Sequence, residues 1–85
     1  MSTASLQEAR QSLRAYFAEQ LPGWSDDALD TESLEDYGMD STGIATLVLE
    51  LEERYDIEIR DDELTEKNLG TIQGILSFLD RKKAA

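Results

Sequence analysis

The chemistry open to this chain is narrow. Its 85 residues include no histidine and no cysteine, so there is no imidazole base, no thiolate nucleophile and no Cys/His metal cluster. Hydroxyl and carboxylate chemistry remain, and one hydroxyl stands out by its position. Ser41 lies in Gly38-Met39-Asp40-Ser41-Thr42-Gly43, and Ile44, Leu47, Val48, Leu51 and Tyr55 follow at the spacing of one apolar helix face. That places the hydroxyl at the mouth of a helix, where serine is a preferred N-cap and, taken alone, nothing more. A hydrolase would need a base beside it and a strand-to-helix turn in an α/β sheet, and the chain offers neither. No catalysis of its own is expected. The acidic run from Asp56 to Glu63 invites a calcium reading, but an EF-hand loop begun at Asp56 needs glycine where Asp61 stands and glutamate where Lys67 stands. No metal site is expected.

The elements that must position Ser41 follow from hydrophobic spacing. Leu6, Ala9, Leu13, Tyr16, Phe17 and Leu21 fall on one face and Pro22-Gly23 supplies a stop, which predicts a first helix over about residues 5–20. Trp24 is expected to pack beneath the acidic connection that runs to Asp40, with Leu29 and Leu34 pinning that connection to the core. In the second helix the core-facing set leaves Thr42, Ala45, Thr46, Leu49 and Glu53 on the opposite face, with Glu52 beside them. Ile57 and Ile59 alternate with polar residues but have no partner strand, so they read as an extended link whose isoleucines plug the core. A short third helix is expected over about residues 62–67, centred on Leu64 and broken by Asn68 and Gly70. Thr71 then caps a fourth helix with its stripe at Ile72, Ile75, Leu76 and Leu79, and Arg81, Lys82 and Lys83 complement its negative end. The expected fold is a single all-α domain over residues 1–85, with its core over about residues 5–80, in four helices with a long loop between the first two.

The formal net charge is −11, concentrated around Ser41: residues 25–40 and 41–66 each carry −7, whereas residues 67–85 carry +3. Phosphate backbones need a basic stripe, so nucleic acid is excluded as a partner and basic protein surfaces are the expected complement. No apolar run approaches the ~20 residues of a membrane span, and the N-terminus lacks the basic and apolar regions of a signal peptide. A soluble, cytoplasmic, monomeric chain is expected, of modest stability because nothing staples so small a core.

The stretch Leu34-Glu-Asp-Tyr-Gly-Met-Asp-Ser41, with the apolar helix that follows and its ending Glu-Glu-Arg-Tyr-Asp-Ile-Glu-Ile59, resembles the acyl and peptidyl carrier proteins over most of the chain. The resemblance implies a four-helix carrier bundle. It implies that Ser41 bears a 4′-phosphopantetheine arm, derived from coenzyme A, through a phosphodiester, that the arm's thiol holds an acyl or aminoacyl group as a thioester, and that Asp40 helps a phosphopantetheinyl transferase to recognise the site. It further implies an adenylating or acyltransferase loading enzyme and a downstream acyl-accepting synthase or transferase. Thr42, Ala45, Thr46, Leu49, Glu52 and Glu53 are the expected partner-binding face, with Leu49 as its apolar anchor. A rival reading keeps the carrier fold but uses it for protein contacts alone, without the arm.

Carriers of fatty-acid synthesis typically place acidic residues on the first turns of this helix, where Thr42, Gly43 and Thr46 stand here. The run Ser-Thr-Gly-Ile-Ala-Thr-Leu-Val-Leu-Glu-Leu looks closer to D-alanyl carriers and to discrete carriers of polyketide and nonribosomal-type pathways, with fatty-acid synthesis as the alternative. A small bundle of this kind is expected to hold no fixed pocket from which a cargo could be read.

Overall fold

The computed structural model describes residues 3–84. Among them are four α-helices: α1 (Thr3–Gln20), α2 (Ser41–Tyr55), the short α3 (Glu66–Leu69) and α4 (Ile72–Ala84). Two 3₁₀ turns, Leu34–Tyr37 and Asp61–Glu63, punctuate the connections. The all-α, four-helix expectation holds. The core draws on every segment: Leu13 and Phe17 from α1, Leu34 and Met39 from the long loop, Leu47 and Leu51 from α2, Ile59 from the link, Leu69 from α3 and Ile72, Ile75, Phe78 and Leu79 from α4. Each large apolar side chain so buried contributes on the order of 1.5–3 kcal/mol.

The long loop is ordered by anchors of several kinds. From α1, the Arg14 guanidinium donates to the carbonyls of Ala28 (2.8 Å) and Asp26 (2.9 Å) and to the Asp30 carboxylate. It also lies 5.0 Å from the centre of the Trp24 ring, which packs between Phe17 and Tyr37 as a large ring in a small domain should. Backbone bonds complete the attachment: Leu34 N–H to Gly70 O (2.8 Å), Gln73 N–H to Asp30 O (2.9 Å) and Gly23 N–H to Tyr37 O (3.0 Å). Leu34 is buried as expected, but Leu29 is 63% exposed, and the small Ala28 enters the core in its place. The reason is local: the Glu32 carboxylate accepts the Leu29 N–H (2.6 Å) and the Tyr37 hydroxyl (2.7 Å), a turn that holds residue 29 at the surface. Those two donors hold the Glu32 carboxyl below the usual carboxylate range, the Leu29 N–H most strongly, and the charge they meet raises the Tyr37 phenol.

The third helix differs from expectation in place and length. The Glu63 carboxylate accepts the N–H of Arg60 (2.9 Å), closing a 3₁₀ turn at Asp61–Glu63, and Thr65 then starts α3 by accepting the Asn68 N–H on its hydroxyl (3.2 Å). Two cap signals in succession split what hydrophobic spacing alone joins. Leu64 falls between them, 43% exposed, and Asn68 lies inside α3 instead of ending it. At α4 the expected Thr71 cap is present, its hydroxyl accepting the Gly74 N–H at 2.9 Å. The basic end of α4 does more than complement a dipole. Lys82 pairs with the Glu63 carboxylate (2.9 Å), Arg81 donates to Asn68 Oδ1 (2.8 Å) and Lys83 to the Tyr55 carbonyl (3.0 Å).

Candidate functional site

The path into α2 is set by Gly38 and Asp40. Gly38 adopts φ 102°, a left-handed conformation that favours glycine, and a Cβ built there would stand 2.9 Å from Pro22 Cγ. Asp40 is extended, and its Oδ1 accepts the Gly43 N–H at 2.7 Å while its carbonyl accepts the Ile44 N–H at 2.9 Å. Asp40 is therefore the N-cap, and Ser41, expected in that role, is the first residue of the helix itself. The correction matters chemically. A capping hydroxyl is committed to a backbone N–H, whereas the exposed Ser41 side chain makes no hydrogen bond among the described residues. It is a free hydroxyl held in the partial positive field of a 15-residue helix, where an esterified phosphate is favoured.

Two hollows lie near the start of α2. One, of about 200 Å³, lies between α2 and residues 64–70 and is walled by Leu34, Met39, Ile44, Leu64 and Leu69, with the exposed carboxylates Glu35 and Glu66 also among its lining. The other, of about 260 Å³, lies between the end of α1 and the start of α2. Met39 borders both. Its sulfur sits 2.7 Å from where a Cβ of residue 43 would be, and Asp40 Oδ1 is 3.3 Å from the same point, so Gly43 is required by the cap and by Met39 together. The first hollow lies where the short α3 and the turn before it meet the start of α2.

Of the expected partner-binding residues, Thr42, Ala45, Thr46, Leu49 and Glu53 are exposed, Leu49 by 64%, and the Thr46 hydroxyl donates back to the Thr42 carbonyl at 3.1 Å. Glu52 differs from these: it is half-buried, and its carboxylate accepts the Ile59 N–H at 2.9 Å, which fastens the extended link to α2. Exposed acid lies to either side of the face, at Glu35, Asp36 and Asp40 before α2 and at Asp61, Asp62 and Glu66 after the link. Sequence spacing missed Met39 and Gly43 as a contacting pair and Arg14 as the organiser of the loop. The first left a trace in the glycine two residues past the serine; the second left none.

A family model described as the phosphopantetheine attachment site matches residues 11–79. The chain belongs to this phosphopantetheine-binding carrier family. Proteins named acyl carrier protein match it from Kocuria rhizophila (36% identical over 66% of this chain and 67% of that protein), Bdellovibrio bacteriovorus (38%, over 61% and 64%) and Zymomonas mobilis (39%, over 60% and 63%). The match thus spans about two thirds of the length of these relatives. Members of this carrier family are not catalysts. No helix among the described residues is long and apolar enough to cross a membrane.

Proposed function

We propose that this chain carries an acyl or aminoacyl group as a thioester on a 4′-phosphopantetheine arm borne by Ser41, and presents it to partner enzymes. The observation that carries the reading is the Ser41 hydroxyl, exposed, uncommitted and seated at the first position of α2 behind an Asp40 cap. The arm supplies the thiol that this cysteine-free chain lacks. The chain's own residues do the rest. First-turn N–H groups of α2 favour the phosphate, Gly43 lets Met39 and the Asp40 carboxylate close on the first turn, and Asp40 holds the helix start in one geometry for a phosphopantetheinyl transferase to read. The exposed face Thr42, Ala45, Thr46, Leu49 and Glu53 receives the loading enzyme and the acyl-accepting synthase or transferase, and tethering raises the effective concentration of the cargo before each of them.

As to pathway, the residues of that face nearest Ser41 on α2, Thr42, Ala45 and Thr46, are uncharged, and the acid of the face is Glu53. This favours docking by apolar contact assisted from the edge, and so a discrete carrier of polyketide or nonribosomal-type metabolism over one whose partners grip a run of acids. Incubation with a phosphopantetheinyl transferase and coenzyme A, followed by intact-mass measurement, tests the carrier reading. Wild type should gain one arm and Ser41→Ala none. An unmodified wild type would leave a carrier-like interaction domain, and a modified Ser41→Ala would move the site. The intact mass of protein taken from its native host tests the pathway: a simple fatty-acyl adduct would return the chain to fatty-acid synthesis.

A further inference from the structure

The hollow between α1 and α2 has a character that the attachment of an arm does not by itself explain. It opens beside Ser41, bounded there by Asp40, Thr42 and Gly43, and runs to Tyr16 and Gln20 on α1. A second hollow shares Tyr16 and Gln20 and continues the groove along the two helices to Glu50 and Arg54. Among the described residues, the Tyr16 hydroxyl, the Gln20 amide and the Thr42 hydroxyl make no side-chain hydrogen bond to the protein. Leu21, Pro22 and Met39 provide apolar surface between them.

We infer that this α1–α2 groove is a resting site for the pantetheine portion of the arm, an inference that rests on the assignment of the arm to Ser41. Pantetheine is a chain of two secondary amides and a hydroxyl interrupted by a gem-dimethyl group. Its amides need both donors and acceptors when they leave water, and an unpaired one is costly in an apolar setting. The cleft between α2 and residues 64–70 is a poor match, since its walls are mainly Leu34, Met39, Ile44, Leu64 and Leu69. The α1–α2 groove matches group by group. Gln20 offers one acceptor and two donors, Tyr16 and Thr42 offer hydroxyls, and Pro22 and Met39 offer a patch for the methyls. Asp40, Thr42 and Gly43, the neighbours of Ser41, form the end of the groove nearest the attachment point.

The test uses isotopically labelled protein carrying an unloaded arm, its mass verified beforehand. Residues on α1 decide the matter, because amides next to Ser41 shift on modification whatever the arm does. The Gln20 amide should shift between unmodified and arm-bearing protein, and the arm's methyl protons should show nuclear Overhauser contacts to the Tyr16 ring, while the Leu64 and Leu69 amides stay in place. Gln20→Ala, a change at an exposed position, should weaken those contacts and speed alkylation of the arm's thiol by about two- to tenfold, as expected for loss of one hydrogen bond. Protein with an arm of correct mass but no response at Tyr16 and Gln20, or with shifts confined to Leu64 and Leu69, overturns the inference and leaves the carrier reading intact. Protein that accepts no arm at all overturns both.

Discussion

The two ends of α2 are built on opposite plans. At its C-terminal end, Asp56 closes the helix in a left-handed conformation, Glu52 holds the link through the Ile59 N–H, Lys83 takes the Tyr55 carbonyl, and nearby the Glu63–Lys82 pair clamps the 3₁₀ turn to α4. At its N-terminal end the cap is satisfied by Asp40 alone, hollows open on both sides, and the hydroxyls of Ser41 and Thr42 are left without partners. Polar groups at one end hold the chain together, and at the other the two hydroxyls stay exposed and unengaged among the described residues. The dividing line falls about halfway along the helix, at Leu47 and Leu51, whose complete burial secures both ends.

That contrast can be broken at its middle first. Leu47→Ala and Leu51→Ala should each cost about 2–5 kcal/mol in denaturant melts, since both side chains are fully buried. Small losses at both would mean that the core face of α2 is misassigned. Next in size is the cap: Asp40→Ala should cost about 1 kcal/mol, whereas Ser41→Ala, which removes no cap, should leave the melt unchanged. The reverse ranking would restore Ser41 as the N-cap and undo the argument for its free hydroxyl.

At the clamped end, the Arg60 N–H, and after it the Lys82 ammonium, hold the Glu63 carboxyl below the usual range. Because the folded-state value lies below the unfolded one, the stabilisation is present at neutral pH and is lost as pH falls through the folded value. Glu63→Gln should therefore flatten the acid limb of a stability-versus-pH curve relative to wild type, and an unchanged limb would remove the clamp. The smallest change in stability is expected at the open end. Leu49→Arg, at an exposed position, should shift stability by no more than about 0.5 kcal/mol. It should nevertheless lower kcat/KM for the loading enzyme by about fivefold or more, and Glu53→Lys should act mainly through the salt dependence of association. Full activity of Leu49→Arg would take docking away from this face.

Helix α2 and the stripes of α1 and α4 were legible in the sequence because an amphipathic helix writes its buried face at a fixed period, and burial then follows the pattern at Leu13, Phe17, Leu47, Leu51, Ile72, Ile75 and Leu79. What was not legible depended on which of two neighbouring polar residues spends its side chain on the backbone. Asp40 and Ser41 are both good caps, and only the geometry decides between them. Glu52 and Glu53 are the same residue type one position apart, yet one turns inward to the Ile59 N–H and the other faces solvent. Leu29 and Ala28 exchange roles because Glu32 fixes the turn between them. The candidate site followed the same rule: the spacing placed Ser41 at the mouth of α2, but the hollows near it depend on how far α3 stands from α2 and how α1 ends.

The loop before Ser41 is fastened in part through main-chain atoms. Arg14 reaches carbonyl oxygens at Asp26 and Ala28, and Leu34, Gln73 and Gly23 contribute backbone N–H bonds. A carbonyl is the same whatever side chain accompanies it. The outward residues of that segment, Asp26, Asp27, Leu29 and Thr31, can thus be exchanged almost freely while the path of the chain stays put. The outward surface of that segment is in this sense rewritable: its charge and shape can change by substitutions that the fold does not feel.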